Sequence, residues 1–350
     1  MSQVVYITTE TASEPACVDY IHPNLIEIAD PVKGRGFRAS EVIPKGARLM
    51  VDRPYAIIPT VDEPANHDNV ICSNPACNHR TLQDAGRCLC PNNCVSDVVW
   101  CSNACRNADR ARHEFECTWL KRYAQSIRSK RGEYDFGMLW LIVRLLATRH
   151  IEMKKPSLSV DGSGSAREWK SSWNSIDLLC GSSDFWSHDK VRLWSTLVKK
   201  YLQNSSTLPH GMSADRLLHL ICQEEANSFG LYPREMCIDP PSNMSPSNSR
   251  GEQFAAGVYP TAAICNHSCS PNITHRPDDK GCMVYTAARD ILAGEECCIS
   301  YFDLAQHTDL TSRREHLRNS FRFLCKCERC VSEEPVEESI EWTEMPILDI

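Results

Sequence analysis

Apolar and polar positions change their spacing several times along this chain, and each change marks an element. Over residues 24–58, Leu25-Ile26-Glu27-Ile28 alternates as a half-buried strand does, and Lys33-Gly34-Arg35-Gly36 forms a glycine turn. Residues 48–58 are rich in β-formers, with a break at Pro54. Residues 136–151 are nearly all apolar, which predicts a buried helix rather than one with a wet face. Trp194, Leu197, Val198 and Tyr201 recur at helical spacing. So do Leu217, Leu218 and Ile221, behind a cap at Ser213, and both stripes predict packing faces. Residues 157–165 and 239–249, rich in Ser, Pro, Gly and Asn, predict exposed loops. β-type sequence returns at Gly257-Val258-Tyr259-Pro260, at 282–285 and at 297–301, and there is no internal repeat. Strands, a cysteine-rich segment, helices, strands and a second cysteine cluster follow one another, an order that predicts an α+β fold.

The chain has 350 residues, enough for one large domain or two smaller ones, with apolar and charged fractions ordinary for a globular protein. No apolar run approaches the roughly 18 residues of a membrane span, and residues 1–10 lack the order of a signal peptide, so an intracellular protein of nucleus or cytoplasm is expected. The net charge of −7 is local: residues 331–350 hold seven acids and no Lys or Arg, and the other 330 residues carry 38 acids and 38 bases. The acidic stretch reads as a solvated tail. The neutral body has no basic stripe for nucleic acid, and a monomer is expected.

Twenty cysteines come in close pairs with His113 among them and no export signal, which favours metal over disulfides. Cys72-x4-Cys77, Cys90-x3-Cys94, Cys101-x3-Cys105 and His113-x3-Cys117 offer eight ligands, suiting two zinc ions. Cys88, close to Cys90, is a rival ligand, and spacing alone leaves the pairing of the pairs open. Residues 72–117 hold few large apolar side chains, so metal is expected to supply their folding energy.

Later come Asn266-His267-Ser268-Cys269-Ser270-Pro271-Asn272, Gly294-Glu295-Glu296, Ser300-Tyr301-Phe302-Asp303 and Cys325-x-Cys327-x-x-Cys330. This ordered series resembles the SET-domain lysine methyltransferases. Trp100-Cys101-Ser102-x-x-Cys105 ending in His113-x3-Cys117 resembles a MYND zinc finger, and the combination is that of the SMYD proteins, without their C-terminal helical domain. The resemblance implies a SET β-fold in parts at 20–60 and 250–305, a MYND-type finger at 70–120 and a helical insert at 130–235. A post-SET zinc segment would occupy 306–330 and the acidic tail 331–350. It also implies alternating pairs, Cys72, Cys77, Cys101 and Cys105 at one zinc and Cys90, Cys94, His113 and Cys117 at the other. Cys269 with Cys325, Cys327 and Cys330 would complete a third. Arg110 stands where the family has a Trp that holds proline-rich partners, which weakens that partner role.

What the resemblance implies about chemistry is S-adenosylmethionine-dependent methylation of a lysine on a histone or non-histone protein. Lysine's amine, with a reference pKa of roughly 10.4, must shed a proton before it attacks a methyl group. By resemblance Tyr301 orients the amine and lines the transfer pore. Lys33, Arg35, Asn266, His267, Tyr301 and Phe323 would hold the cofactor, and Phe229, Tyr259 and Phe321 would wall the lysine channel. Relatives often have Tyr at position 321, so its missing hydroxyl bears on how many methyls are added. The alternative is a catalytically idle SET and MYND scaffold that joins proteins.

Overall fold

The structure is a computed structural model that describes residues 20–59, 70–81, 87–154, 172–235 and 250–335. The stretches expected as loops at 157–165 and 239–249 lie outside the described residues, as does the acidic stretch beyond 335.

The first strands are β1 (Tyr20–Ile21), β2 (Leu25–Asp30), β3 (Gly34–Ala39), β4 (Arg48–Asp52) and β5 (Ala56–Pro59). Asp30 closes the β2–β3 turn by accepting the backbone N–H of Val32 and Lys33, both at 2.8 Å, and Gly34 takes φ +78° there, where a side chain would strain the backbone. The proline break of 48–58 falls between β4 and β5. The cysteine-rich segment holds only the two-residue strands β6 (Val70–Ile71), β7 (Arg80–Thr81), β8 (Cys88–Leu89) and β9 (Val99–Trp100), paired β6–β7 and β8–β9, before α1 (Asn103–Ala108).

Helix α2 (Arg110–Lys154) starts inside the cysteine-rich segment and contains the apolar run. It is broken at Gly132, whose φ of 88° and ψ of 174° are not helical. Every residue from Met138 to Ala147 is buried, as an all-apolar run requires, with Arg144 the one charged member. Next come α3 (Trp173–Asp177), α4 (His188–Leu197), a π-helical turn at Val198–Gln203 and α5 (Ala214–Asn227). The Ser213 hydroxyl accepts from Arg216 N–H at 3.2 Å and caps α5, a contact contributing about 1 kcal/mol. Trp194, Leu197, Val198, Tyr201, Leu217 and Ile221 are all buried, so the two stripes are packing faces.

The chain returns to β structure in β10 (Ser228–Leu231), β11 (Ala255–Val258), β12 (Asn266–His267), β13 (Ile273–Pro277), β14 (Met283–Ala287) and β15 (Glu296–Ile299), and ends in α6 (Leu310–Ser320) and α7 (Glu328–Ser332). Three small sheets result, ordered β1-β4-β14-β13, β10-β11-β5 and β12-β15-β3-β2. All pairs in them are antiparallel except β12–β15. Each sheet joins N-terminal strands to C-terminal strands through one pairing, β4–β14, β5–β11 or β3–β15.

Strand β5 divides two cores by its two-residue period. Ala56 and Ile58 face the helical core of Trp119, Phe136, Trp140 and Leu217, and Ile57 faces the sheet core of Phe37, Met50, Tyr259 and Tyr285. Val98, Trp100 and Phe115 of the cysteine-rich segment also sit in the helical core. Among the described residues the segment thus has no core of its own and packs a few apolar side chains onto the core of α2. Two acids of the supposed solvated tail are likewise held: Glu333 pairs with Arg313 and Arg329, and Glu334 with Arg314. No described helix is long and apolar enough to cross a membrane.

Candidate active site and metal centres

Parallel pairing of β12 with β15 sets Asn266 opposite Cys298 and His267 opposite Ile299, which brings the Asn-His pair beside Tyr301, two residues past the strand. Tyr301 is bonded at both ends. Its N–H donates to His267 Nδ1 at 3.1 Å, and its hydroxyl donates to the Cys265 carbonyl at 2.9 Å. Since Nδ1 accepts, the His267 ring carries its proton on Nε2, which faces Cys269 Sγ at 3.2 Å. Burial pushes the His267 imidazole down to about 4, so the ring is neutral near pH 7. Burial raises the Tyr301 phenol well above its ordinary range, with the neighbouring Cys265 and Cys298 thiols adding to it, so the phenol keeps its proton.

Asn266 Nδ2 donates to the Arg35 carbonyl at 3.1 Å and to Glu296 Oε1 at 3.0 Å. The other oxygen of Glu296 accepts Lys33 Nζ at 2.5 Å, which raises the lysine's pKa. Gly36 makes room for this arrangement, because a Cβ there would sit 2.8 Å from Asn266 Nδ2. Arg35 Nη2 reaches across to the Leu178 carbonyl at 3.0 Å, so the helical insert borders the same site.

The aromatic residues fall into two groups. Tyr301, Phe321 and Phe323 come together, with ring centroids 5.0 Å apart for Tyr301–Phe321 and 6.4 Å for Tyr301–Phe323, and His267 lies 6.0 Å from Phe323. Phe229 meets Tyr259 edge-on at 5.8 Å and His275 at 6.0 Å. The Tyr259 hydroxyl donates to the Gly281 carbonyl at 2.5 Å and its ring is wholly buried in the sheet core, so it backs Phe229 and offers no open wall of its own, unlike the expectation from sequence. Phe229 and Tyr301 both pack against the sheet core, which joins the two groups.

Three groups of ligands converge: Cys72, Cys77, Cys101 and Cys105; Cys90, Cys94, His113 and Cys117; and Cys269, Cys325, Cys327 and Cys330. Within each group the ligand atoms all lie within 4.8 Å of one another. Cys77–Cys101 is 3.7 Å, Cys101–Cys105 3.4 Å, Cys90–Cys117 3.6 Å, Cys269–Cys330 3.5 Å and Cys269–Cys325 4.0 Å. These separations straddle the roughly 3.8 Å edge of a tetrahedron with metal–sulfur arms of about 2.3 Å. They exceed by far the roughly 2.0 Å of a disulfide. The donor sets therefore fit a tetrahedral thiophilic ion. Cys88 stands apart, its thiol donating to Asn103 Oδ1 at 3.2 Å.

Glu296, in Gly294-Glu295-Glu296, carries no sequence signal of a role at this site. Nothing local in the sequence signals that its carboxylate bridges Lys33 and Asn266. Asn272, the last residue of the Asn-His-Ser-Cys stretch, is a second such residue: it donates to Glu295 Oε1 at 3.0 Å and the Glu296 carbonyl at 2.9 Å, and accepts from Cys298 N–H at 2.8 Å.

A family model described as the SET domain matches residues 34–302. N-lysine methyltransferase SMYD2 of Homo sapiens is 24% identical over 319 residues, covering 91% of this chain and 62% of that protein. Histone-lysine N-methyltransferase ASHR2 of Arabidopsis thaliana is 26% identical over 312 residues, covering 85% of this chain and 68% of that protein. Potential protein lysine methyltransferase SET6 of Saccharomyces cerevisiae is 36% identical over 133 residues, 38% of this chain and 32% of that protein. A solved structure, the SET domain of LSMT bound to lysine and AdoHcy, aligns over 87% of this chain and 52% of that one, with a TM-score of 0.40 and 12% identity. The chain thus spans about three fifths of the length of the SMYD2 relatives it matches.

Proposed function

This chain belongs to the SET-domain family, and from that premise we propose that it is an S-adenosylmethionine-dependent protein lysine N-methyltransferase holding three zinc ions. The observation that carries the reading is the doubly anchored Tyr301, set between His267 and an aromatic group of Phe321 and Phe323. When bound, S-adenosylmethionine supplies an electrophilic methyl group. Lys33, Asn266, His267 and the backbone around Arg35 would hold it, and Glu296 sets the positions of Lys33 and Asn266 beforehand.

The hydroxyl of Tyr301 donates its hydrogen bond to the Cys265 carbonyl, so its lone pairs are free to accept an N–H of the substrate amine. Because burial keeps this phenol protonated, Tyr301 orients the amine and does not act as the base. Phe229 and Phe321, both only partly buried, would wall the approach of the lysine, with Tyr259 buried behind Phe229; in such apolar surroundings the ammonium form is poorly solvated, which lowers its pKa toward the reactive amine. Holding the amine in near-attack geometry supplies much of the rate. The substrate protein and its lysine are to be found by screening.

Zinc is the ion proposed for all three centres, since four thiolates, or three with an imidazole, at tetrahedral spacing are its preferred donors. The test is calorimetric titration of S-adenosylmethionine into metal-analysed protein, beside Asn266→Ala. Binding by the parent that the variant loses, with about three zincs per chain, supports the reading. Fully metallated protein that binds nothing defeats it and leaves an interaction scaffold.

A further inference from the structure

Glu116 is no ligand, yet it sits one residue before one and is fully buried between the second ligand group and the helical core. Both of its oxygens are engaged. Oε1 accepts from Arg112 Nη1 at 2.9 Å and faces His113 Nδ1 at 3.2 Å; Oε2 accepts from Trp140 Nε1 at 3.0 Å and Arg144 Nε at 2.6 Å. Asp109 binds the other side of Arg112 through two contacts of 2.6 Å, so two guanidinium and two carboxylate charges balance inside the protein. Such a cluster contributes little net stability over an apolar one of the same volume, which leaves room for a role beyond stability.

The geometry supplies one. A carboxylate only accepts, so the His113 nitrogen facing it is the one that carries hydrogen. Nε2 is then bare and turned to Cys90 and Cys94, 3.2 and 3.7 Å away, as a metal ligand must be. Arg144 carries the contact onward, its Nη1 donating to the Ile57 carbonyl of β5 at 3.0 Å. Ile57 pairs with Gly257 of β11, and Gly257 pairs with Phe229 of β10.

We propose that Glu116 is a positioning residue for the second metal site. Through Arg144 it couples metal occupancy there to the β5–β11–β10 sheet. That this sheet carries a wall of the lysine channel rests on the methyltransferase reading; the coupling itself does not. Coupling of this kind is reciprocal, so it must be visible from both ends.

Two variants of the zinc-loaded full chain test it. Arg144→Met touches no ligand, yet chelator competition with metal analysis should find zinc held at least about tenfold more weakly at one of the three sites. His113→Ala should lose one zinc and, by mass-detected hydrogen exchange, speed exchange at 56–59 and 255–258 at least about tenfold, with 34–39 and 296–299 unchanged. Unaltered zinc affinity in Arg144→Met overturns the proposal, as does unaltered exchange in His113→Ala. Should His113→Ala fail to fold, His113→Cys replaces it, supplying a fourth thiolate but no donor for Glu116. Faster exchange at 56–59 with all zinc retained then supports the coupling, and unchanged exchange refutes it. Neither readout uses methyl transfer, so a chain without that activity would still pass or fail on its own terms.

Discussion

At the scale of single residues, the site depends on where a few protons sit. Tyr301 donates to the Cys265 carbonyl and its N–H is held by His267, so its oxygen is fixed in position. Tyr301→Phe keeps the ring between Phe321 and Phe323 and removes only that oxygen. Turnover on a screened lysine substrate should fall roughly 10²-fold or more, with S-adenosylmethionine affinity changed little by calorimetry. A variant turning over at the parent's rate would take Tyr301 out of the reaction. The residues quoted for this site were legible as a series of motifs, because each motif is a short run of chain. Glu296 was not, since its two partners lie 263 and 30 residues away and a glutamate among glutamates carries no local mark.

At the scale of elements, apolar spacing foretold the stripes of 194–201 and α5, because helical period is a local property. Polar groups inside those elements were not foretold. Glu224, on the buried face of α5, has one carboxylate oxygen without a hydrogen-bond partner. Burial pushes its carboxyl up to about 8 against the help of the Ser228 hydroxyl, and the charge of Glu225 pushes the same way; Tyr134 is the other ionisable group facing it. A carboxyl raised in the fold favours folding fully below its ordinary value near 4.5, and that contribution is lost as pH rises to about 8. Glu224→Gln should therefore raise the melting midpoint by roughly 3 °C or more at pH 8 and by far less at pH 5. Equal gains at both pH values would show that the carboxyl is not held neutral.

At the scale of the whole molecule, N-terminal and C-terminal strands meet in every sheet, and distant cysteines converge. Cys269 joins Cys325, Cys327 and Cys330 from the C-terminal segment, and the Phe321 and Phe323 that precede them stand beside Tyr301. On the zinc reading proposed above, folding of that segment and completion of the site would be one event. Cys269→Ala should lose about one zinc of three by metal analysis and lose S-adenosylmethionine binding with it. Retention of both would separate the third centre from the site.

The sequence alone determined the kinds of element and the kinds of chemistry. Strand alternation, an apolar helical run, close cysteine pairs and a motif order all lie within reach of one short segment. Only the tertiary structure decided which distant groups meet. It sets Cys90 in a ligand group and turns Cys88 to Asn103. It also joins Glu296 to Lys33 and Asn266, and Glu116 to His113 and Arg144. The reason is physical: local periodicity selects the face a residue occupies, whereas the partner on that face is set by how far-apart segments pack. Buried charges must find those partners, because leaving one unpaired costs several kcal/mol.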